Sequence, residues 1–157
     1  MKDILGLILA ILILLSGCSA GEEPAGEYSF FYQQTEIRMH EKAAPILEKL
    51  GEPVSYTEQT SCAFDGMDKT YCYGSFYIST YPDKDEDRIQ SVWLVDDTAA
   101  TKEGIRIGDT REKVEAAYGT KWESGRGQMI LHGSNGKLSI LLTGDVVTSI
   151  QYTAVFE

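Results

Sequence analysis

Gly104-Ile105-Arg106-Ile107-Gly108-Asp109-Thr110-Arg111-Glu112-Lys113-Val114-Glu115-Ala116-Ala117-Tyr118-Gly119 is the stretch from which the fold can be read. It starts with an extended apolar pair, Ile105 and Ile107, and turns at Gly108. Asp109 and Thr110 offer side-chain oxygens to the first free N–H groups of a helix, and Glu112 stands three residues after Asp109, as a capping box requires. Val114, Ala117 and Tyr118 follow at helical spacing and form one apolar stripe. Gly119 supplies the left-handed stop.

A weaker copy of this pattern runs from Glu36 to Gly51. Ile37, Arg38 and Gly51 match Ile105, Arg106 and Gly119, and Ile46 and Leu50 stand where Val114 and Tyr118 do. His40 takes the place of Gly108, and Pro45 that of Lys113. Proline is tolerated only in the first turn, so the first helix should start near Ala43, with Ile46, Leu47 and Leu50 as its core stripe.

Strand signals follow each helix. After the first come Tyr56–Ala63, Thr70–Tyr81 and Ile89–Val95. The second is followed by Gln128–His132, Lys137–Leu142 and Val147–Tyr152. The expected fold is therefore α+β. Two helix-plus-antiparallel-meander repeats, 28–103 and 104–157, would place their helices on one face of an antiparallel sheet and leave the other face open.

The last hairpins allow a test of register. An Asn135-Gly136 turn sets Met129 against Leu142 and Leu131 against Ile140. If Gly144-Asp145 were also a plain two-residue turn, Ser149 would enter the apolar face and Ile150 would leave it. A bulge or a longer loop is expected instead, setting Ile150 against Ile140 and Tyr152 against Leu138.

The N-terminus bounds the compartment. Lys2 precedes an unbroken apolar run, Ile4–Leu15, too short to span a bilayer as a helix. Leu15-Ser16-Gly17-Cys18 then resembles the lipobox of bacterial lipoproteins. That resemblance implies a signal peptide over 1–17, diacylglycerol on the Cys18 thiol, and a chain held on the outer side of the cell membrane. The alternative is secretory cleavage after Ala20. Residues 18–27 are small and acidic and read as a flexible tether reaching roughly 15–20 Å.

With 24 acidic against 14 basic residues, the net charge is −10 and the pI about 4.6. Such a surface repels nucleic-acid phosphates and anionic lipid, so membrane attachment must be covalent or hydrophobic.

A helix ending in glycine and followed by a meander, twice, is similar to the beta-lactamase-inhibitory-protein fold. It also resembles the single-unit form in the small lipoprotein of the outer-membrane barrel-assembly machinery. The residues that carry the likeness are Gly108-Asp109-Thr110, Val114 and Tyr118-Gly119. The resemblance implies a protein-binding module rather than an enzyme, and no inhibitory residue carries over.

Cys62 and Cys72 flank a turn centred near Met67 and are expected to face each other as a disulfide worth about 2–3 kcal/mol. The alternatives are two free thiols or a metal pair, for which the two histidines leave too few ligands. His40 and His132 are 92 residues apart. Asp83, Asp85 and Asp87 have Arg88 where a calcium loop has glycine, and read as a solvated turn. No nucleophile elbow, redox motif or phosphate loop is present, so neither catalyst nor cofactor is expected.

One alternation is sharper. Read as a single strand, 71–81 puts Tyr71, Tyr73, Tyr77 and Tyr81 on one face and Phe76 and Ile78 on the other, with Trp93 joining the tyrosines. Large rigid rings with polar handles suit recognition. The expected function is a non-catalytic, lipid-anchored binding or scaffolding protein that meets an envelope protein through this face. The runners-up are a small-molecule or glycan receptor and an inhibitor of a secreted hydrolase.

Overall fold

The computed structural model of the chain describes residues 26–121 and 127–156. The leader, Cys18 and most of the tether lie outside the described residues. Along the chain come β1 (Ser29–Tyr32), β2 (Thr35–Arg38), α1 (Ala43–Leu50), β3 (Ser55–Thr60), β4 (Met67–Cys72), β5 (Phe76–Asp83) and β6 (Glu86–Leu94). The remainder is α2 (Arg111–Tyr118), β7 (Gln128–His132), β8 (Lys137–Thr143) and β9 (Val146–Thr153). β1 and β2 form a separate two-stranded ribbon.

The other strands make one antiparallel sheet in the order β3-β4-β5-β6-β9-β8-β7. This overturns the expected pair of helix-plus-meander repeats. β6 pairs directly with β9, setting Val92 against Tyr152 and Leu94 against Ile150, so the strands after each helix merge into a single mostly-β unit. Nor do helices supply the cover. Each is eight residues, about 12 Å long, whereas seven strands span roughly 29 Å. α1 buries Ala43 and Ile46, and α2 buries only Val114, while Ala117 of the expected stripe is exposed. The ribbon fills the gap. Phe30 sits edge-on to Phe76 at 5.0 Å and 6.0 Å from Tyr152, and Tyr32 lies 4.7 Å from Phe76. Ile37 and Met39 of the ribbon and Ile105 of the segment before α2 complete the layer.

Both helix starts are pinned to the sheet by backbone. Gly108 N–H donates to Val147 O at 2.8 Å, and Val147 N–H donates back to Asp109 O at 2.8 Å. At α1, His40 N–H donates to Ile89 O and Ile89 N–H to Glu41 O, each at 2.9 Å. The shared geometry needs a positive φ, 92° at Gly108 and 66° at His40, which a histidine adopts at a cost in backbone energy that glycine does not bear. Thr110 caps α2 by accepting from Lys113 N–H at 3.4 Å, and α1 starts at Ala43 with Pro45 in its first turn. Gly51 and Gly119 close the helices by donating to Leu47 O and Glu115 O.

The bulge in the last hairpin lies between Leu141 and Leu142, and it sets Ile140 against Ile150 and Leu138 against Tyr152 as expected. The β7–β8 register differs by two residues, with Met129 against Ile140 and Leu131 against Leu138. Gly133 N–H donates to Gly136 O at 2.7 Å, so the turn is Ser134-Asn135 rather than Asn135-Gly136. Asn135 is held there by Tyr28, whose backbone N–H and C=O bond its side chain at 3.2 and 3.3 Å. A Cβ at Gly136 would fall 2.4 Å from Thr153 O, so the chain passes there without a side chain. A slip of two leaves every side chain on its own face.

Candidate functional site

Cross-strand partners share a face, so register decides which of the expected binding residues stand together. The expected strand Thr70–Tyr81 is two strands. Tyr73 N–H donates to Phe76 O at 2.9 Å, closing a tight turn through Gly74 and Ser75 with Gly74 at φ 84°. Tyr71 therefore pairs with Ile78 and Cys72 with Tyr77. The turn reverses the alternation: Tyr71 lies on the core side with Ile78, and Tyr77 on the opposite side.

On that opposite face, one row crosses Cys72, Tyr77, Trp93, Gln151 and Ser139 on five neighbouring strands. Trp93 is 52% exposed, and its ring lies 6.1 Å from the half-buried Tyr77 ring. The next row, Thr70, Ser79, Ser91 and Thr153, is hydroxyl-bearing. Among the described residues, no element lies across this Tyr77–Trp93 region.

The other tyrosines are elsewhere. Tyr73 stacks on Phe76 at 5.3 Å, and its hydroxyl donates to Gly51 O at 3.3 Å. Tyr71 packs beside Tyr56 at 5.0 Å and lines a cavity of about 300 Å³ with Ala43, Leu47 and the acidic turn at Asp85–Asp87. Burial pushes the phenols of both Tyr71 and Tyr73 above their ordinary range. Tyr81 shares the face of Tyr77 but is covered by Phe64 and Phe156, with ring centres at 4.8 and 4.9 Å. Its hydroxyl meets His40 Nδ1 at 2.9 Å, and Nε2 meets Val155 O at 3.1 Å. A carbonyl only accepts, so the neutral ring carries its proton on Nε2 and takes the Tyr81 hydroxyl on Nδ1.

Cys62 and Cys72 are free thiols, one exposed and one buried, in place of the expected disulfide. The β3–β4 ladder pairs Ser55 with Cys72 and Thr60 with Met67, so its turn is centred near Ala63–Phe64 rather than Met67. Cys62 falls inside the loop, about seven residues or 20 Å along the ladder from Cys72, against the 4.4–6.8 Å between Cα atoms that a bridge needs. Phe64 sets the turn by docking on Tyr81 and Phe156, and Ser61 Oγ holds it by accepting from Ala63 and Phe64 N–H. Gly74 N–H reaches Cys72 Sγ at 3.5 Å and, with Tyr77, holds its thiol pKa down.

The acidic turn is cross-linked by cations. Arg88 pairs with Asp83 at 2.5 Å, Lys69 with Asp87 at 2.6 Å and Lys42 with Glu86 at 2.6 Å. Among the described residues, no group of three or more ligands is placed to hold a metal. Gln151 and Ser139, both half-buried, were missed as members of the outward-facing row. Their outward alternation against Ile150 and Ile140 was readable, but the β6–β9 pairing that brings Gln151 beside Trp93 was not. No protein-family model, curated protein or solved structure matches the chain.

Proposed function

We propose that the protein is a non-catalytic binding or scaffolding lipoprotein, anchored through Cys18 on the extracytoplasmic side of the cell membrane and meeting an envelope protein through the Tyr77–Trp93 face. The carrying observation is Trp93, 52% exposed beside Tyr77 in the middle strands of a sheet face that no described element crosses. A tryptophan left in water at the centre of a broad surface forgoes burial that a partner can supply, and such rings dominate recognition energetics. The lipobox-like Leu15–Cys18 supports the anchor, and the net charge of −10 points away from nucleic acid. A receptor for a glycan or small molecule is less supported, since neither Tyr77 nor Trp93 lines the cavity beside Tyr71 or the one beneath β3.

A photoreactive residue at Gln151, beside Trp93, tests the reading in the native envelope. It should give a discrete protein adduct that disappears with Trp93→Ala, while the same probe at Glu48 on α1 gives none. An adduct that survives Trp93→Ala would remove this face from the proposal.

A further inference from the structure

The seven-stranded sheet has one edge without evident protection. β3 carries Ser55-Tyr56-Thr57-Glu58-Gln59-Thr60, and all six residues are exposed. It pairs with β4 without a bulge over its whole length, and among the described residues no strand lies on its outer side. Edge strands are ordinarily blunted by proline, lysine, bulges or shortness, because their free backbone groups template another strand. β3 has none of these devices within its span, and Glu58 is its single charged residue. β7, at the other edge, is a residue shorter and partly buried.

The outward backbone groups can be assigned. Ser61 N–H donates to Gly66 O at 3.0 Å, in register with the β3–β4 ladder. Hydrogen-bonded pairs recur every second residue, so Ser55, Thr57 and Gln59 spend their N–H and C=O groups on β4. Those of Tyr56, Glu58 and Thr60 point away from the sheet. The side chains of the same three residues share the face of Tyr71, Lys69 and Met67.

That face carries charge. A cavity of about 360 Å³ adjoins β3 there, and its lining carries five carboxylates, Glu58, Asp65 and Asp85 among them, against two lysines. Lys69 and Lys42 answer Asp87 and Glu86. Among the described residues, no salt bridge involves Glu58, Asp65 or Asp85. Nearer α1, the Tyr56 and Tyr71 rings form an aromatic shelf 5.0 Å from centre to centre.

We propose that β3 receives an extended basic segment of another protein as an eighth, edge-adding strand. Its backbone bonds to Tyr56, Glu58 and Thr60, and its alternate lysine or arginine side chains lie over the acidic cavity and the tyrosine shelf. Backbone pairing supplies affinity in such strand addition, and alternate side chains supply selectivity. Charge decides the occupant. A second copy of this chain would bring another net −10 against the same carboxylates, whereas a basic strand relieves them. The site is separate from the Tyr77–Trp93 face, so the two readings fail independently.

The test uses the full chain in detergent with two synthetic octapeptides, one alternating lysine and threonine and one alternating glutamate and threonine. The lysine peptide should slow amide hydrogen exchange at Tyr56, Glu58 and Thr60 and bind at least tenfold more tightly than the glutamate peptide. Its binding should weaken as salt is raised. Glu58→Pro removes an outward N–H and one carboxylate of the acidic cavity but no ladder bond, so it should cut binding at least tenfold with the melting temperature little changed. Thr60→Pro, which removes an outward N–H alone, should also weaken binding. Thr60→Pro serves the same purpose if Glu58→Pro perturbs the fold, and the exchange pattern of the unaltered chain reads the site without either. Four results would each overturn the proposal. These are no binding at millimolar peptide, equal binding of the two peptides, binding indifferent to both prolines, or a dimer dissolved by Glu58→Pro, which would make a second copy the occupant.

Discussion

Truncating Ile150 to alanine should destabilise the whole sheet at once. Ile150 is fully buried on β9, paired with Leu94 of β6 on one side and Ile140 of β8 on the other. It thus stands at the seam between the strands following α1 and those following α2. The substitution removes three buried carbons, about 2.4 kcal/mol at roughly 0.8 kcal/mol each. A cavity term follows, since Leu94 and Ile140 are held by their own ladders and cannot collapse inward, giving a total of about 3–4 kcal/mol. For a domain of this size that corresponds to a fall in Tm of about 10–15 °C. The assay is urea unfolding combined with amide exchange read in β5 and β8. One cooperative unit requires both strands to lose the same protection free energy. Leu141→Ala, at a side chain 37% exposed on the opposite face, should cost less than about 1 kcal/mol. A loss below about 1 kcal/mol at Ile150 would refute the packing argument. Loss of protection confined to β7–β9, with β4–β6 unaffected, would show that the seam does not join the sheet into one unit.

Two further outcomes are expected. Peptide-mapped alkylation should label Cys62 in the folded protein and Cys72 only after unfolding, and a reductant should leave Tm unchanged within about 1 °C, because the β3–β4 register holds the thiols apart. A reductant-induced drop matching about 2–3 kcal/mol would restore the disulfide. Asp109 gives a pH signature. Burial raises its pKa, but Lys113 Nζ at 2.8 Å and Arg106 N–H at 2.7 Å outweigh that and hold the carboxyl below its usual range. A depressed folded pKa contributes stability above the unfolded value, near pH 4, and loses it as pH falls through the folded one. Asp109→Asn should therefore lower Tm by a few degrees at pH 7, for about 1 kcal/mol, and by almost nothing at pH 2. An equal loss at both pH values would assign the effect to shape rather than charge.

The parts legible in the sequence were those fixed by neighbours along the chain. Thr110, Gly119, Gly51 and Pro45 act within one turn of helix, and both helices lie where these residues put them. The β8–β9 bulge was also readable, because Ile140, Ile150, Leu138 and Tyr152 must all enter one buried face and only an extra residue allows it. The disulfide failed because the β3–β4 turn is placed by Phe64 docking on Tyr81 and Phe156, which lie 17 and 92 residues farther along the chain. The two-repeat architecture failed because two similar helix starts do not determine which strands pair, and β6 pairs with β9.

The binding face shows how small the decisive feature can be. Tyr71 to Tyr81 alternates so regularly that a single strand was the natural reading, with Gly74 as a weak interior position. Gly74 instead takes φ 84° in a tight turn, and the chain reverses. A reversal through Gly74-Ser75 pairs Tyr71 with Ile78 rather than aligning it with Tyr77, so two of five rings pass to the core side. There they work as structure: Tyr73 stacks on Phe76, and Tyr71 walls the cavity under α1. The composition that suggested recognition was shared between two faces, and of the five rings only Trp93, with the half-buried Tyr77 beside it, stays outward and uncovered. The same reversal gives β3 its place. With Tyr71 turned to the core side, Tyr56 pairs above it and Glu58 pairs beside Lys69, so the residues of the outermost strand whose backbone groups face outward along the sheet edge put their side chains on the core-side face.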